Sequence, residues 1–191
     1  MTALDLDPTK NALVVIDLQK GVLAMQTEPR STAEVLAATL RLTEAFRARG
    51  AFVVLVRVEF SADGRDALHP SADSPTVMPK ERPADFSAPA PSLAGDRDHV
   101  VVKKQWGAFY GTDLDLQLRR RGISQIVLCG VATCFGVEST ARQEYELGYE
   151  QVFVEDAMSS RSTAEHEHTV TRIFPRMGRV RRVDEVVAGL K

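Results

Sequence analysis

The fold is decided by residues 100–142, VVVKKQWGAFYGTDLDLQLRRRGISQIVLCGVATCFGVESTAR. The apolar runs at 100–103 and 126–129 predict two buried strands. Between them, residues 113–121 have the apolar spacing of a helix, and another helix is predicted over about 137–147. A strand, a helix and a second strand in this order form a parallel unit with a right-handed crossover.

The same alternation of strands and helices extends on both sides of this unit. Residues 12–17, ALVVID, are too continuously apolar for a half-exposed strand and predict a strand buried on both faces. Further strands are predicted at 52–58, 151–155 and 179–183, and further helices at 31–49, at 164–173 and at the C-terminus. We therefore predict an α/β fold in which helices cover both faces of a six-stranded, mostly parallel sheet.

The length of 191 residues is that of one domain, and we expect residues 1–191 to form a single core. Residues 61–98 depart from the pattern, because their prolines exclude long helices and central strands. These prolines are Pro70, Pro75, Pro79, Pro83, Pro89 and Pro91. A proline-rich excursion of this length is typical of a binding lid, an oligomer contact or a mobile insertion.

Charge and composition exclude several classes of partner. Lys and Arg number 24 against 26 Asp and Glu, and the net charge of -2 gives no reason to expect binding to nucleic acid or an anionic membrane. The sequence has no apolar run of membrane-spanning length and no secretory signal. We expect a cytoplasmic protein whose partners are a small-molecule substrate and copies of itself.

The two cysteines, Cys129 and Cys134, are expected to be free thiols. They lie five residues apart with no nearby histidine, which makes a poor zinc site and an improbable disulfide framework. Cys129 ends a predicted strand and is expected in the core.

Candidate functional residues fall at the carboxyl ends of predicted strands, where ligands bind in open α/β sheets. Asp17 closes the first strand, Lys103 closes the third, and residues 130–136 form the loop after the fourth. Burial raises a carboxyl pKa and lowers an ammonium pKa, so such a pair can move protons near neutral pH. The alternative is that Asp17 caps a turn and that Lys103 is an ordinary charge like its neighbour Lys104.

The segments VVIDLQ, KKQWGAF, TDLDLQLRRRGI, GVATCFGVESTAR and VEDAMSS follow one another in the order and spacing of the isochorismatase-like hydrolases. The chain resembles this family over nearly all of its length except the proline-rich excursion. The resemblance implies a three-layer α/β/α sandwich, a cofactor-independent hydrolase and a homo-oligomer. It also implies catalytic roles for Asp17 and Lys103, which match the acid and the lysine of the Asp, Lys, Cys triad of the amidohydrolase members.

The third triad position falls on Gly136, which has no nucleophile. Isochorismatases resemble this chain in having glycine there, and they cleave a vinyl ether by protonating it from an Asp and adding water. The resemblance therefore implies a small, anionic substrate and no thiol chemistry. Two alternatives stay open: a cysteine amidohydrolase that uses Cys134, and a binding or assembly protein on a hydrolase scaffold that has lost its activity.

Five further residues are candidates for substrate contact: Gln19, Trp106, Ala132, Thr133 and Cys134. Trp106 stands in a Gln-Trp-Gly run where isochorismatases carry Arg-Tyr-Ser, which argues against isochorismate itself, and its ring forms either a flat wall or ordinary packing. Gln19 contacts either the substrate or loop backbone. The resemblance also implies a cis peptide between Val131 and Ala132.

No metal site is predicted. The region after the second strand reads RVEFS, with His69 alone downstream, and lacks the D-x-H pattern of nicotinamidases. His166 and His168 are two residues apart on a predicted helix, so they do not share a face, and we expect both to be solvated, as is His99.

Overall fold

The computed structural model describes residues 3–74 and 83–191, and they form one six-stranded sheet with helices on both faces. The strands are β1 (Asn11–Ile16), β2 (Phe52–Val58), β3 (His99–Lys103), β4 (Gln125–Val131), β5 (Glu150–Ser159) and β6 (Arg179–Arg181). Their order across the sheet is β3-β2-β1-β4-β5-β6, and every pairing is parallel. The predicted α/β fold is confirmed, and the sheet is entirely rather than mostly parallel.

The helices are α1 (Lys20–Leu23), α2 (Thr32–Ala48), α3 (Leu114–Arg120), α4 (Glu138–Glu146), α5 (Thr163–His168) and α6 (Val183–Gly189). A π-helical turn, Thr133–Val137, leads directly into α4, and a second one, Thr169–Ile173, extends α5. The chain therefore begins to coil four residues earlier after β4 than the sequence predicts. In the described residues, no helix is long and apolar enough to cross a membrane.

Alternation along β1 divides the core into two layers. Leu13 and Val15 pack on one face of the sheet with residues of α2 and α6, while Ala12, Val14 and Ile16 pack on the other with residues of α3 and α4. Because successive side chains of a strand point to opposite faces, a continuous apolar run is what a strand covered on both sides requires.

Helix α2 begins at a capping box, whose Ser-x-x-Glu pattern is visible in the sequence at residues 31–34. The Ser31 side chain accepts a hydrogen bond from the backbone of Glu34, and the Glu34 carboxylate accepts one from the backbone of Ser31. Such a cap stabilises a helix by about 1 kcal/mol. The cap fixes where the chain turns back after leaving the carboxyl end of β1.

The described part of the proline-rich excursion packs against the segment that follows Asp17. The amides of Lys20 and Gly21 donate to carbonyls of residues 88 and 86, and the Ala90 amide donates to Leu18. Ala90 and Leu93 are buried in the core. Pro75 and Pro79 lie outside the described residues.

Gly130 allows β1 and β4 to approach closely just before the carboxyl edge of the sheet. Its φ is +121°, and a Cβ built there lies 2.2 Å from the Ile16 carbonyl oxygen. Both the backbone conformation and the contact exclude any side chain.

We predict that Gly130→Ala lowers the free energy of unfolding by about 3 kcal/mol, because it adds backbone strain to a clash with main chain. The control is Gly50→Ala, which also has a positive φ, +67°, but meets no atom within 4 Å. The control is expected to cost about 1 kcal/mol. Urea unfolding of the two variants beside the wild type measures the difference, and equal losses would contradict the close-approach argument.

Candidate active site

Asp17 and Lys103 form a buried ion pair at the carboxyl edge of the sheet. Asp17 directly follows β1 and Lys103 is the last residue of β3, so β2 lies between the two strands. The Lys103 Nζ lies 2.8 Å from the Asp17 Oδ2. Lys103 is 1% exposed and Asp17 is 8% exposed. The structure thus brings together the two residues that the sequence proposes as catalytic.

The backbone at Asp17 turns sharply to aim this side chain. Its φ is +53°, in the left-handed region, which Asp and Asn adopt more readily than other side chains. The Asp17 amide donates to the Val56 carbonyl, and the Asp17 carbonyl accepts from the Gln19 amide. The backbone of Asp17 therefore forms a turn held by two hydrogen bonds where the chain leaves the sheet.

Burial is the dominant influence on the Asp17 carboxyl and raises its pKa, while the charge and hydrogen bond of Lys103 offset part of that rise. The Asp17 Oδ1 is buried and has no hydrogen-bond partner among the described residues. Lys103 also donates to the Trp106 carbonyl at 2.5 Å. One oxygen of the carboxyl group is therefore paired with the Lys103 ammonium, and the other has no hydrogen-bond partner among the described residues.

Gly136 lies directly against this pair. A Cβ built on it would be 3.1 Å from the Lys103 Nζ and 3.2 Å from the Asp17 Oδ2. The same Cβ would be 3.0 Å from the Ile16 side chain, so glycine is what lets the turn pack this closely on the charged pair.

The turn that carries Gly136 begins with a cis peptide between Val131 and Ala132, so the prediction of a cis bond there is confirmed. Ala132 is half-buried, and its carbonyl accepts from the amides of Phe135 and Val137. These bonds close the π-helical turn and hold Gly136 in place.

Thr133 and His166 join this turn to α5 from the interior. The Thr133 Oγ1 lies 2.9 Å from the His166 Nδ1, and the Thr133 side chain is fully buried. The hydroxyl is thus directed to α5 rather than toward a substrate. The expectation that His166 is solvated is wrong: it is 3% exposed, and burial lowers its pKa to about 4.

Gln19 is fully buried, and its side-chain amide forms hydrogen bonds with the backbone. The Nε2 donates to the Val58 carbonyl at 3.0 Å, and the Oε1 accepts from the Val58 amide at 2.8 Å. Of the two readings of Gln19, the structure shows the contact with backbone. The residue ties the segment after Asp17 to the end of β2.

Neither cysteine has the surroundings of an activated thiol. The Cys134 Sγ lies 3.0 Å from the Ser160 Oγ and 3.7 Å from the Glu165 Oε2, and burial is the main cause that raises its pKa. A reactive thiolate needs a lowered pKa, and although Cys134 lies at the start of the π-helical turn, its pKa is raised overall. Cys129 is buried in the core with a pKa raised to about 12, and both thiols are free.

Trp106, Phe135 and Arg161 line the same edge as a group. Trp106 is 55% exposed and its ring meets Phe135 edge to face, with centroids 5.0 Å apart. The Arg161 guanidinium lies 5.5 Å from the Phe135 centroid. Sequence reasoning singled out Trp106 and missed the other two. The signal that could have found Arg161 is its place just after β5, at the edge where parallel strands present their ligands.

A family model described as Isochorismatase domain matches residues 11–185. The chain belongs to the isochorismatase family, and it is a hydrolase of that family. This assignment agrees with the fold and with the position of the buried ion pair at the carboxyl edge.

Individual relatives agree over the whole length. The chain is 48% identical over 193 residues to the uncharacterized isochorismatase family protein YwoC of Bacillus subtilis (strain 168), covering 100% of each. It is 47% identical to the uncharacterized isochorismatase family protein YecD of Escherichia coli O157:H7, covering 98% of this chain and 100% of that protein. A solved isochorismatase family protein from Burkholderia thailandensis superimposes with a TM-score of 0.93 at 46% identity, covering 98% of each chain.

We predict that lowering the pH decreases the free energy of unfolding of the wild type, partly because His166 must become protonated. Its pKa is lower in the folded protein than the usual 6.5, so its contribution to stability is complete above pH 6.5 and is lost as pH falls toward 4. The unfolding free energy of the wild type should fall relative to that of His166→Asn by on the order of 2 kcal/mol between pH 7 and pH 4.

Urea unfolding at each pH measures this difference. The matched control is His168→Asn, at the exposed position two residues further along. A wild-type advantage over His166→Asn that stays constant with pH would contradict the assignment of a buried, neutral imidazole.

Proposed function

We propose that this chain is a hydrolase that works through Asp17 and Lys103 without a nucleophilic thiol. The observation that carries the proposal is the buried Asp17–Lys103 pair directly against Gly136, where a Cβ would lie 3.2 Å from the Asp17 Oδ2 and 3.1 Å from the Lys103 Nζ but the chain places no nucleophile. A buried carboxyl with a raised pKa can hold a proton and give it to a bound molecule. In this proposal the substrate approaches the pair from the carboxyl edge of the sheet, and the chain offers no nucleophile at position 136.

In this proposal Asp17 is the general acid. Its proton passes to the double-bond carbon of an enol ether or a similar electron-rich group, and water adds to the resulting oxocarbenium carbon. One proton of the added water returns to Asp17, and the other passes to the departing oxygen as the C–O bond breaks, which releases an alcohol and a carbonyl product. Lys103 holds the carboxyl in place and stabilises the carboxylate that remains after proton transfer.

The substrate is proposed to be small and anionic. Arg161 supplies a positive charge at the same edge of the sheet, and Trp106 with Phe135 supplies a flat apolar surface. The Gln-Trp-Gly run around Trp106 still argues against isochorismate itself. Neither a cofactor nor a metal ion enters the proposed chemistry.

A cysteine amidohydrolase is the second candidate. Cys134 lies two residues before Gly136 in the same turn, and Ser160 is within hydrogen-bond distance of its sulfur. This candidate requires a change in the turn, because the contacts of Cys134 are a hydroxyl and a carboxylate rather than Lys103. A binding protein that has lost its activity is the third candidate.

We also propose that the protein is a cytoplasmic homo-oligomer. Large apolar side chains that a second copy would cover remain exposed in the single chain, among them Trp106, Tyr110, Tyr145 and Leu147. Scattered apolar residues are normal on a surface, so the support comes from four large side chains on the loop after β3 and around the end of α4.

Hydrolysis of a panel of isochorismate, nicotinamide and small amides tests the three candidates. We expect turnover that falls by about 10²–10⁴-fold in Asp17→Asn and persists in Cys134→Ala. Asn is chosen because it tolerates the left-handed φ of position 17, so the variant should fold. Circular dichroism and thermal unfolding of each variant check that it does.

The other outcomes identify the alternatives. Loss of turnover in Cys134→Ala replaces the proposal with the amidohydrolase. If nothing in the panel is hydrolysed while a panel molecule binds Asp17→Ala as tightly as the wild type, the binding protein is favoured.

The pH profile separates the acid from the thiol independently of substrate. If protonated Asp17 is the acid, kcat/KM is highest at low pH and falls as pH rises through its elevated pKa. A mechanism that needs the Cys134 thiolate has the opposite slope, since its pKa is also raised and the thiolate forms only at high pH. An increase in kcat/KM with pH would contradict the proposed role of Asp17.

A further inference from the structure

A cavity lies at the edge of the sheet opposite the ion pair. Its volume is about 280 Å³, close to the smallest pockets that hold small molecules. The lining includes Pro8, Phe52, Ile123, Arg47, Arg97 and Arg121.

The position of this cavity separates it from the candidate active site. Phe52 begins β2, and Ile123 shortly precedes β4, so the cavity faces the amino ends of the strands. Asp17 and Lys103 lie beyond the carboxyl ends. Strand β1 has six residues, which at about 3.3 Å each places the two sites about 20 Å apart.

The cavity carries more positive than negative charge. Arg47 is paired with the nearly buried Asp98 through two hydrogen bonds, so their charges offset each other. Arg121 lies over the Phe52 ring, 4.2 Å from its centroid, and donates to Gln117. Within residues 3–74 and 83–191, the Arg97 side chain forms no ion pair or hydrogen bond, and it is exposed.

Among the residues that the structure describes, no carboxylate forms an ion pair with Arg97 or Arg121. Asp98 is engaged by Arg47 and by the Gly95 amide. Asp7, beside the lining residues Pro8 and Thr9, accepts from the amide and hydroxyl of Thr9. Among the lining residues, three arginines thus face one aspartate, and Pro8, Phe52 and Ile123 add apolar surface.

We propose that this cavity binds a small organic dianion, a phosphate monoester with a flat apolar body. A doubly charged phosphate matches the guanidinium groups of Arg97 and Arg121, whose planar donors suit phosphate oxygens. The flat body packs on the apolar side chains of Pro8 and Ile123, beside the Phe52 ring that Arg121 covers. The site is independent of the proposed hydrolysis and needs none of its residues.

Calorimetric titration with phenyl phosphate tests the proposal, with inorganic phosphate and benzyl alcohol as probes for the anion and the ring alone. We expect saturable binding of phenyl phosphate, weaker binding of inorganic phosphate and the weakest binding of benzyl alcohol. Arg97→Gln and Arg121→Gln should each weaken phenyl phosphate binding by about tenfold or more. Arg121→Lys should lose less, because it keeps the charge.

Three controls place the binding. Arg172→Gln removes an exposed arginine elsewhere and should leave affinity unchanged. Asp17→Asn and Arg161→Gln alter the other edge and should also bind phenyl phosphate as the wild type does, so the result does not depend on any hydrolytic activity. The proposal is overturned if phenyl phosphate does not bind, or if Arg161→Gln abolishes binding while Arg97→Gln does not.

Discussion

The buried ion pair between Lys103 and Asp17 is the constraint on which the carboxyl edge of the sheet depends. An ammonium group that is 1% exposed is stable only if another charge and hydrogen bonds replace the water it has lost. Asp17 provides the charge and the Trp106 carbonyl provides a further acceptor. Strand β2 lies between the two strands that carry the pair. The ion pair therefore links the carboxyl ends of β1 and β3 across β2.

Two glycines make this arrangement possible for different reasons. Gly130 lets β4 come against the main chain of β1 at Ile16, the residue immediately before Asp17. Gly136 keeps the space next to the ion pair free of side-chain atoms. Gly130 stands near the end of β4 and Gly136 in the π-helical turn that follows, so both glycines belong to the same passage from strand to helix. The geometry of the site is therefore a property of the backbone as much as of its charged side chains.

The sequence predicts the sheet well because its strands are continuous apolar runs, and burial on both faces leaves that pattern no other use. It also places Asp17 and Lys103 correctly, since both stand at strand ends. It does not predict the burial of His166, because a histidine two residues from an exposed one gives no sign of which side faces the core. Arg161 and Phe135 were missed for a related reason: their roles come from where β5 and the turn after β4 meet in space, which spacing along the chain does not record.

Position 136 and Cys134 differ in the charged groups that surround them. A thiol at residue 136 would have Lys103 and Asp17 within reach, and those groups could activate it. The thiol that the chain does possess is two residues away, and at that point of the turn it meets Ser160 and Glu165, which supply no positive charge. Burial and a nearby carboxylate both oppose its ionisation. The chain therefore keeps a buried charged pair next to position 136 but has no thiol there, and the proposed proton transfer depends on the Asp17 carboxyl alone.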